Sequence, residues 1–232
     1  MVGVETKERI DLLKRFRKND WPSVSVQMRD LMFGDVDLAE WTKGGAEAEP
    51  WKTFALAEQV LQTDKNKARG CLETVLAMDG LETRHYLEAW TALRSLGVEA
   101  PEVIAKRVLA VVVEVVLPGG LDVLGVYADH TARYWNYSGK GVFWEHPNGK
   151  FDDAIDLIIE TGQSLSEHIG PWSGPRPTDL PPDHARLSLL TPSGLHFGQG
   201  PFAALSKDPL GAPVVAAATR LMVDLTKMGK SG

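Results

Sequence analysis

From Ile10 to about residue 100, apolar residues recur every three or four positions, and the chain reads as helix. Ile10, Leu13 and Phe16 make the first such stripe, widened by Leu12. Asp20 ahead of Trp21-Pro22 is a start signal, because the N–H that proline lacks is unpaired in a first helical turn anyway. The helix it opens is expected to turn Val24, Met28, Leu31 and Met32 inward and to stop near Gly34, and "TKGGAEAEP" after it is loop by composition. Three short helices follow. Phe54, Ala57, Val60 and Leu61 line the first; Asp64 caps the second, which carries Ala68, Cys71, Leu72, Val75 and Leu76; Gly80 separates it from the third, with Tyr86, Leu87, Trp90 and Leu93 before Gly97. Brief turns between short helices predict antiparallel hairpins, in a bundle or a stacked array, and no residue-level repeat marks a named solenoid.

After Pro101 the period changes. "EVIAKRVLAVVVEVV" opens with a helical turn and becomes β-branched, as a buried strand does. Pro118-Gly119-Gly120 is a turn, "LDVLGVYAD" the returning strand, "ARYWNY" a third and "GVFWE" a fourth, joined closely enough for a meander. Asp152 or Asp153 then caps a helix carrying Ile155, Ile158, Ile159 and Leu165 and ending at Gly170. "ARLSLL", the turn "TPSG" and "LHFG" form another hairpin, and "APVVAAATRLMVDLTKM" a last helix. The predicted class is α+β: an all-helical layer over residues 1–100, then an antiparallel sheet over 101–232 in the order strands, helix, strands, helix, with helices on one face. In element order alone, the second half resembles profilin-like, longin and roadblock-type domains.

The strands between Tyr127 and Glu145 hold six of the chain's eighteen aromatic residues, so their two faces must be sorted. Arg133, Trp135 and Tyr137 share one face of the third strand, opposite Ala132, Tyr134 and Asn136. Neither face is purely polar, so both need cover. The C-terminal helices cover one; the other meets the N-terminal helices, a second copy of the chain or a foreign partner. Aromatic residues and arginine concentrate at interface centres, which makes Arg133, Trp135 and Tyr137 the predicted partner contacts, although rings also pack in cores.

Composition narrows the field. A net charge of −6 and an ordinary apolar content describe a folded, globular chain and argue against nucleic acid as partner. The longest apolar run, Val108 to Leu117, is broken by Glu114 and too short to span a membrane, and no secretory leader is visible, so a cytoplasmic location is expected. One cysteine excludes an intrachain disulfide framework. The loop 170–183 holds five of the fourteen prolines with Trp172 and Arg176; an extended arm of this kind either docks on a partner, through Trp172, or wraps the chain's own surface.

Catalytic and metal signatures are not legible. The histidines make no HxH or HExxH pair, His130 and His146 fall in turns expected at opposite ends of the sheet, and Cys71 sits on an apolar helical stripe, so no metal and no cofactor are predicted. An Asp129–His130 acid–base pair would sit in a tight turn, where aspartate usually bonds its own backbone. The glycines Gly194, Gly198 and Gly200 read as hairpin residues, because no helix follows them directly as a phosphate cradle needs. The sequence therefore predicts a non-catalytic regulatory or adaptor protein with a protein partner. Two other readings stand beside it: a small-molecule sensor or enzyme with a pocket between sheet and helices lined by Tyr127, His130, Arg133 and His196, and a self-assembling structural protein.

Overall fold

The computed structural model describes residues 28–43 and 47–228. The stripe predicted at Ile10, Leu13 and Phe16, and the helix start at Asp20, lie outside these residues. Residues 28–30 are helical, and the chain leaves that helix through Gly34 at φ +56°, a left-handed conformation that glycine adopts without strain. A Cβ on Gly34 would also stand 2.9 Å from Leu87 Cβ, so glycine lets this corner seat on the later helix. Met32 is buried as expected, but Leu31 is 40 % exposed and does not face inward.

After residues 28–30, four further helical segments among the described residues continue the first layer: α1 (Leu38–Trp41), α2 (Trp51–Val60), α3 (Lys65–Leu76) and α4 (Thr83–Ser95). α1 was not legible, being a single turn started by the Asp37 side chain, which accepts from Ala39 N–H. Asp64 caps α3 as predicted, accepting from Lys67 N–H at 3.0 Å. The predicted stripes meet in one core of Phe54, Ala57, Leu72, Val75, Ala89, Trp90 and Leu93.

A turn of helix, α5 (Glu102–Ala105), leads into the sheet. Its strands are β1 (Ala110–Leu117), β2 (Gly120–Tyr127), β3 (Ala132–Trp135), β4 (Gly141–Trp144), β5 (His184–Thr191) and β6 (Gly194–Pro201). They lie in the order β4-β3-β2-β1-β5-β6, every neighbour antiparallel. A short 3-10 turn (Gly149–Phe151) and α6 (Asp152–Ser166) connect β4 to the long loop before β5; α7 (Phe202–Leu205) and α8 (Gly211–Met228) follow β6. Asp152 begins α6 rather than capping it: Asn148 caps the preceding turn, accepting from Lys150 N–H, and displaces the start signal by four residues.

Both faces of the sheet are covered. α6 and α8 bring Ile155, Ile158, Val214, Leu221 and Leu225 against Val111, Val113, Leu124, Val126, Tyr134, Trp144, Leu187 and Leu189. On the other face Met32, Phe33 and Leu87 pack on Ala110, Val112, Val116, Leu121, Val123, Tyr127 and Leu190. The helical layer is also tied to the β2–β3 turn: Asp129 accepts from Thr83 N–H at 2.6 Å, at the start of α4, while Thr83 Oγ1 accepts from Asp129 N–H at 3.1 Å.

The proline-rich loop is a strap across this second face. Leu180 packs into its core, and the carbonyls of Pro177 and Asp179 accept from the Arg186 guanidinium on β5. Thr178 C=O accepts from Arg29. Arg176 lies 4.1 Å over the Phe33 ring and pairs with Asp30 at 3.0 Å and Asp35 at 2.6 Å. Of the two roles the sequence left open for this segment, wrapping its own surface is the one observed. Among the described residues no helix is long and apolar enough to cross a membrane.

Candidate functional site

Toward β4 the cover of the second face thins. Alternation along the strands places Arg133, Trp135, Gly141, Phe143 and Glu145 there, while Ala132, Tyr134, Val142 and Trp144 join the opposite core. Trp135 is half-buried and meets Phe143 edge-on at 5.3 Å between ring centroids; Phe143 is 44 % exposed. Gly141 stands opposite Trp135, and a Cβ there would lie 3.0 Å from that indole and 3.1 Å from the Phe143 ring, so the pair depends on a glycine between them. Tyr137, expected in the third strand, lies in the turn after β3, its ring against Gly119 of the β1–β2 turn, where a Cβ would come within 2.8 Å. Its N–H donates to Asp122 Oδ1 at 2.8 Å, yet 49 % of the residue stays exposed. The other Asp122 oxygen takes the Tyr134 hydroxyl proton at 2.6 Å, so one carboxylate fixes both tyrosines.

Arg133 lies beside this patch, 3.4 Å from Glu145 and 3.6 Å from Glu82. β4 is an edge strand, with no strand on its outer side among the described residues. Asn136 N–H bonds Lys140 C=O at 3.0 Å in the β3–β4 turn; continuing that ladder turns the backbone groups of Gly141 and Phe143 to the open edge. Tyr137 does not belong to the strand, since β3 ends at Trp135, and its neighbours are Gly119 and Asp122. Arg133 and Trp135 share this face as alternation predicts, with Phe143 as the member that reasoning missed. Its signal was present: Phe143 shares a face with Glu145, one position out of phase with the buried Trp144.

Trp172, the fourth predicted partner contact, is elsewhere. Its N–H donates to Leu195 C=O on β6 at 2.7 Å, its ring packs edge-on against Phe197 at 5.3 Å, and its indole N–H donates to Pro175 C=O at 2.9 Å. It pins the strap to the other edge of the sheet, with 48 % of the residue exposed.

The residues of the predicted ligand pocket do not converge. Tyr127 is fully buried, its hydroxyl donating to Met32 C=O at 2.8 Å, and burial pushes its phenol above the ordinary range. His196 is buried in β6 between Ser193 Oγ at 3.0 Å and Ile169 C=O at 3.1 Å, and loss of solvent holds its imidazole below the ordinary value. His130 faces α6 through Asp156 at 2.9 Å. A cavity of about 270 Å³ between α4, the strap and the β5–β6 turn is lined by Asp35, Thr91, Arg94, Trp172 and Arg176, and by none of those four.

Separation of His130 from His146 by the sheet is the expectation that the structure corrects. His130 lies in the β2–β3 turn, but His146 follows β4, so β3 and β4 together return the chain to the same end. The two rings lie 5.2 Å apart, with Asp152 at the start of α6 beside them: one ligand atom from each of the three falls within 4.8 Å of the others. Nor does Asp129 pair with His130; it binds Thr83 N–H and accepts from Thr131 N–H within its own turn.

No family model, curated protein or solved structure matches the chain. The candidate sites therefore stand on their own geometry.

Proposed function

We propose that this chain is a non-catalytic regulatory or adaptor protein that binds an extended segment of another protein at the β3–β4 edge of its sheet. The exposure of Phe143 beside the half-buried Trp135, at a strand whose outer backbone groups are open, carries this reading, and Tyr137, exposed in the adjoining turn, adds to it. An extended segment would supply backbone hydrogen bonds to Gly141 and Phe143 and set an apolar side chain against the Trp135–Phe143 pair. Rigid aromatic anchors, with Arg133 and Glu145 at the rim, have the composition of an interface centre. The strap strengthens the case, because most of the proline-rich segment packs on the chain's own surface.

The test is retention of a stoichiometric polypeptide by the tagged protein in an extract of its native host, compared with Phe143→Glu and Tyr137→Glu. Loss of that polypeptide from variants that melt like the unsubstituted chain is the expected result. A stoichiometric polypeptide retained equally by both variants would move the surface elsewhere.

A further inference from the structure

We propose that His130, His146 and Asp152 form a binding site for a divalent transition-metal ion, with Zn²⁺ the best match to the donors. Three separate elements deliver the ligands: the β2–β3 turn, the chain leaving β4 and the first residue of α6. Their ligand atoms lie within 4.8 Å of one another. A tetrahedral zinc ion with bonds of about 2.0–2.1 Å holds its ligands roughly 3.3–3.4 Å apart. Closing the difference would take rotation of the His146 and Asp152 side chains, which are 38 % and 32 % exposed. Asp156 stands one helical turn beyond Asp152, with Oδ1 2.9 Å from His130 Nε2; it lies outside the three-residue cluster and would become the fourth donor by rotating toward the ion. Two imidazoles with carboxylate oxygens suit zinc and its neighbours in the first row better than magnesium or calcium, which prefer all-oxygen shells.

The backbone points the same way. His130 at φ +62° and His146 at φ +49° both occupy the left-handed region, uncommon for residues other than glycine although histidine, asparagine and aspartate enter it more readily than most. Of the three described non-glycine residues with positive φ, these two present their rings to each other at 5.2 Å. Asp152 Oδ1 is shielded from solvent and accepts no hydrogen bond of good geometry among the described residues, although His146 Nε2 stands 3.1 Å away. A shared cation would satisfy that oxygen and both rings together. The bound ion would clip the edge hairpin to α6, joining elements that otherwise meet there through two exposed His–Asp contacts.

The experiment titrates ZnCl₂ into tag-free protein by calorimetry, alongside His130→Asn and His146→Asn. Asparagine tolerates left-handed backbone, so these variants remove the imidazole without a new strain. The expected result is one ion per chain, with affinity weakened roughly tenfold or more in each variant, at least as much as loss of an outer-shell partner costs. CoCl₂ added to the unsubstituted protein gives a readout that needs no variant. It should produce the visible bands of a tetrahedral ion without the charge-transfer band of a thiolate, which excludes Cys71 as the ligand. No stoichiometric binding, or equal binding by both variants, would overturn the proposal.

Discussion

Glu114 of β1 and Arg186 of β5 face each other in register, with Oε2 3.2 Å from Nη1 and each side chain only 1 % exposed. Glu114 is the residue that breaks the apolar run of β1, and the structure shows why that break is tolerated. Burial pushes its carboxyl up, while Arg186, Arg29 and Arg176 draw it back toward the charged form. Arg186 in turn donates to Gln199 and to the Pro177 and Asp179 carbonyls, so a single guanidinium joins the sheet to the strap.

Removing one side of that pair strands the other charge in the core. Arg186→Met is expected to cost about 3–5 kcal/mol by chemical denaturation, with new proteolytic cleavage within residues 170–183 as the strap loses its anchor. Glu114→Leu combined with Arg186→Met should recover much of the stability but not the protease resistance, because the Pro177 and Asp179 carbonyls remain without their donor. Equal resistance in all three proteins would show that the strap is held by its other contacts, those of Trp172, Arg176, Thr178 and Leu180, without Arg186.

Glu88 should make the fold less stable as pH rises. Its side chain is fully buried in α4 with no hydrogen-bond partner among the described residues. Burial, with Asp35 and Asp37 nearby, pushes its pKa up to about 9. Between the ordinary carboxyl value of about 4.5 and 9 the unfolded chain gives up this proton while the folded chain keeps it, so stability falls across that window. Glu88→Gln keeps the shape without the ionisable proton. It should raise the melting temperature at pH 8, by an amount corresponding to roughly 1–3 kcal/mol, and leave it unchanged near pH 4.

Two buried histidines act at the acid end. Loss of solvent holds both His85 and His196 below the ordinary histidine value; His85 packs among Trp41, Trp51 and Phe54. The unfolded chain therefore takes up protons at these positions before the folded chain does. Their contribution is complete above about pH 6.5 and declines as pH falls below it. His85→Phe should flatten the fall in melting temperature between pH 6.5 and 5; an unchanged profile would assign the acid loss to His196 or to carboxylates.

The helices and strands were legible because hydrophobic period alone places them: the stripe at Leu87, Trp90 and Leu93 and the β-branched run of β1 fall where expected. Alternation also put Arg133 and Trp135 on one face, but it did not reach Tyr137, which follows the end of β3 in a turn. What the pattern did not carry was long-range pairing. That Asp129 starts α4, or that Arg186 captures the strap, depends on groups 46 residues apart in one case and on backbone carbonyls in the other, neither of which leaves a periodic trace. The His130–His146 juxtaposition was missed because their two turns are not successive: the β3–β4 turn lies between them, and two strands return a meander to the same end. Leu31 failed for a related reason, since the chain leaves its helix there and the stripe no longer governs where the side chain points.

The most direct test of the central claim is the affinity of the retained partner for the double variant Tyr137→Ala/Phe143→Ala, measured beside its melting curve. Both residues are substantially exposed, so the fold should melt cooperatively within a few degrees of the unsubstituted chain. If this edge is the contact surface, the dissociation constant should rise at least tenfold, the loss of about 1.4 kcal/mol or more that anchor residues carry. An unchanged affinity, or a chain that no longer folds, would show that these rings serve the fold and not a partner.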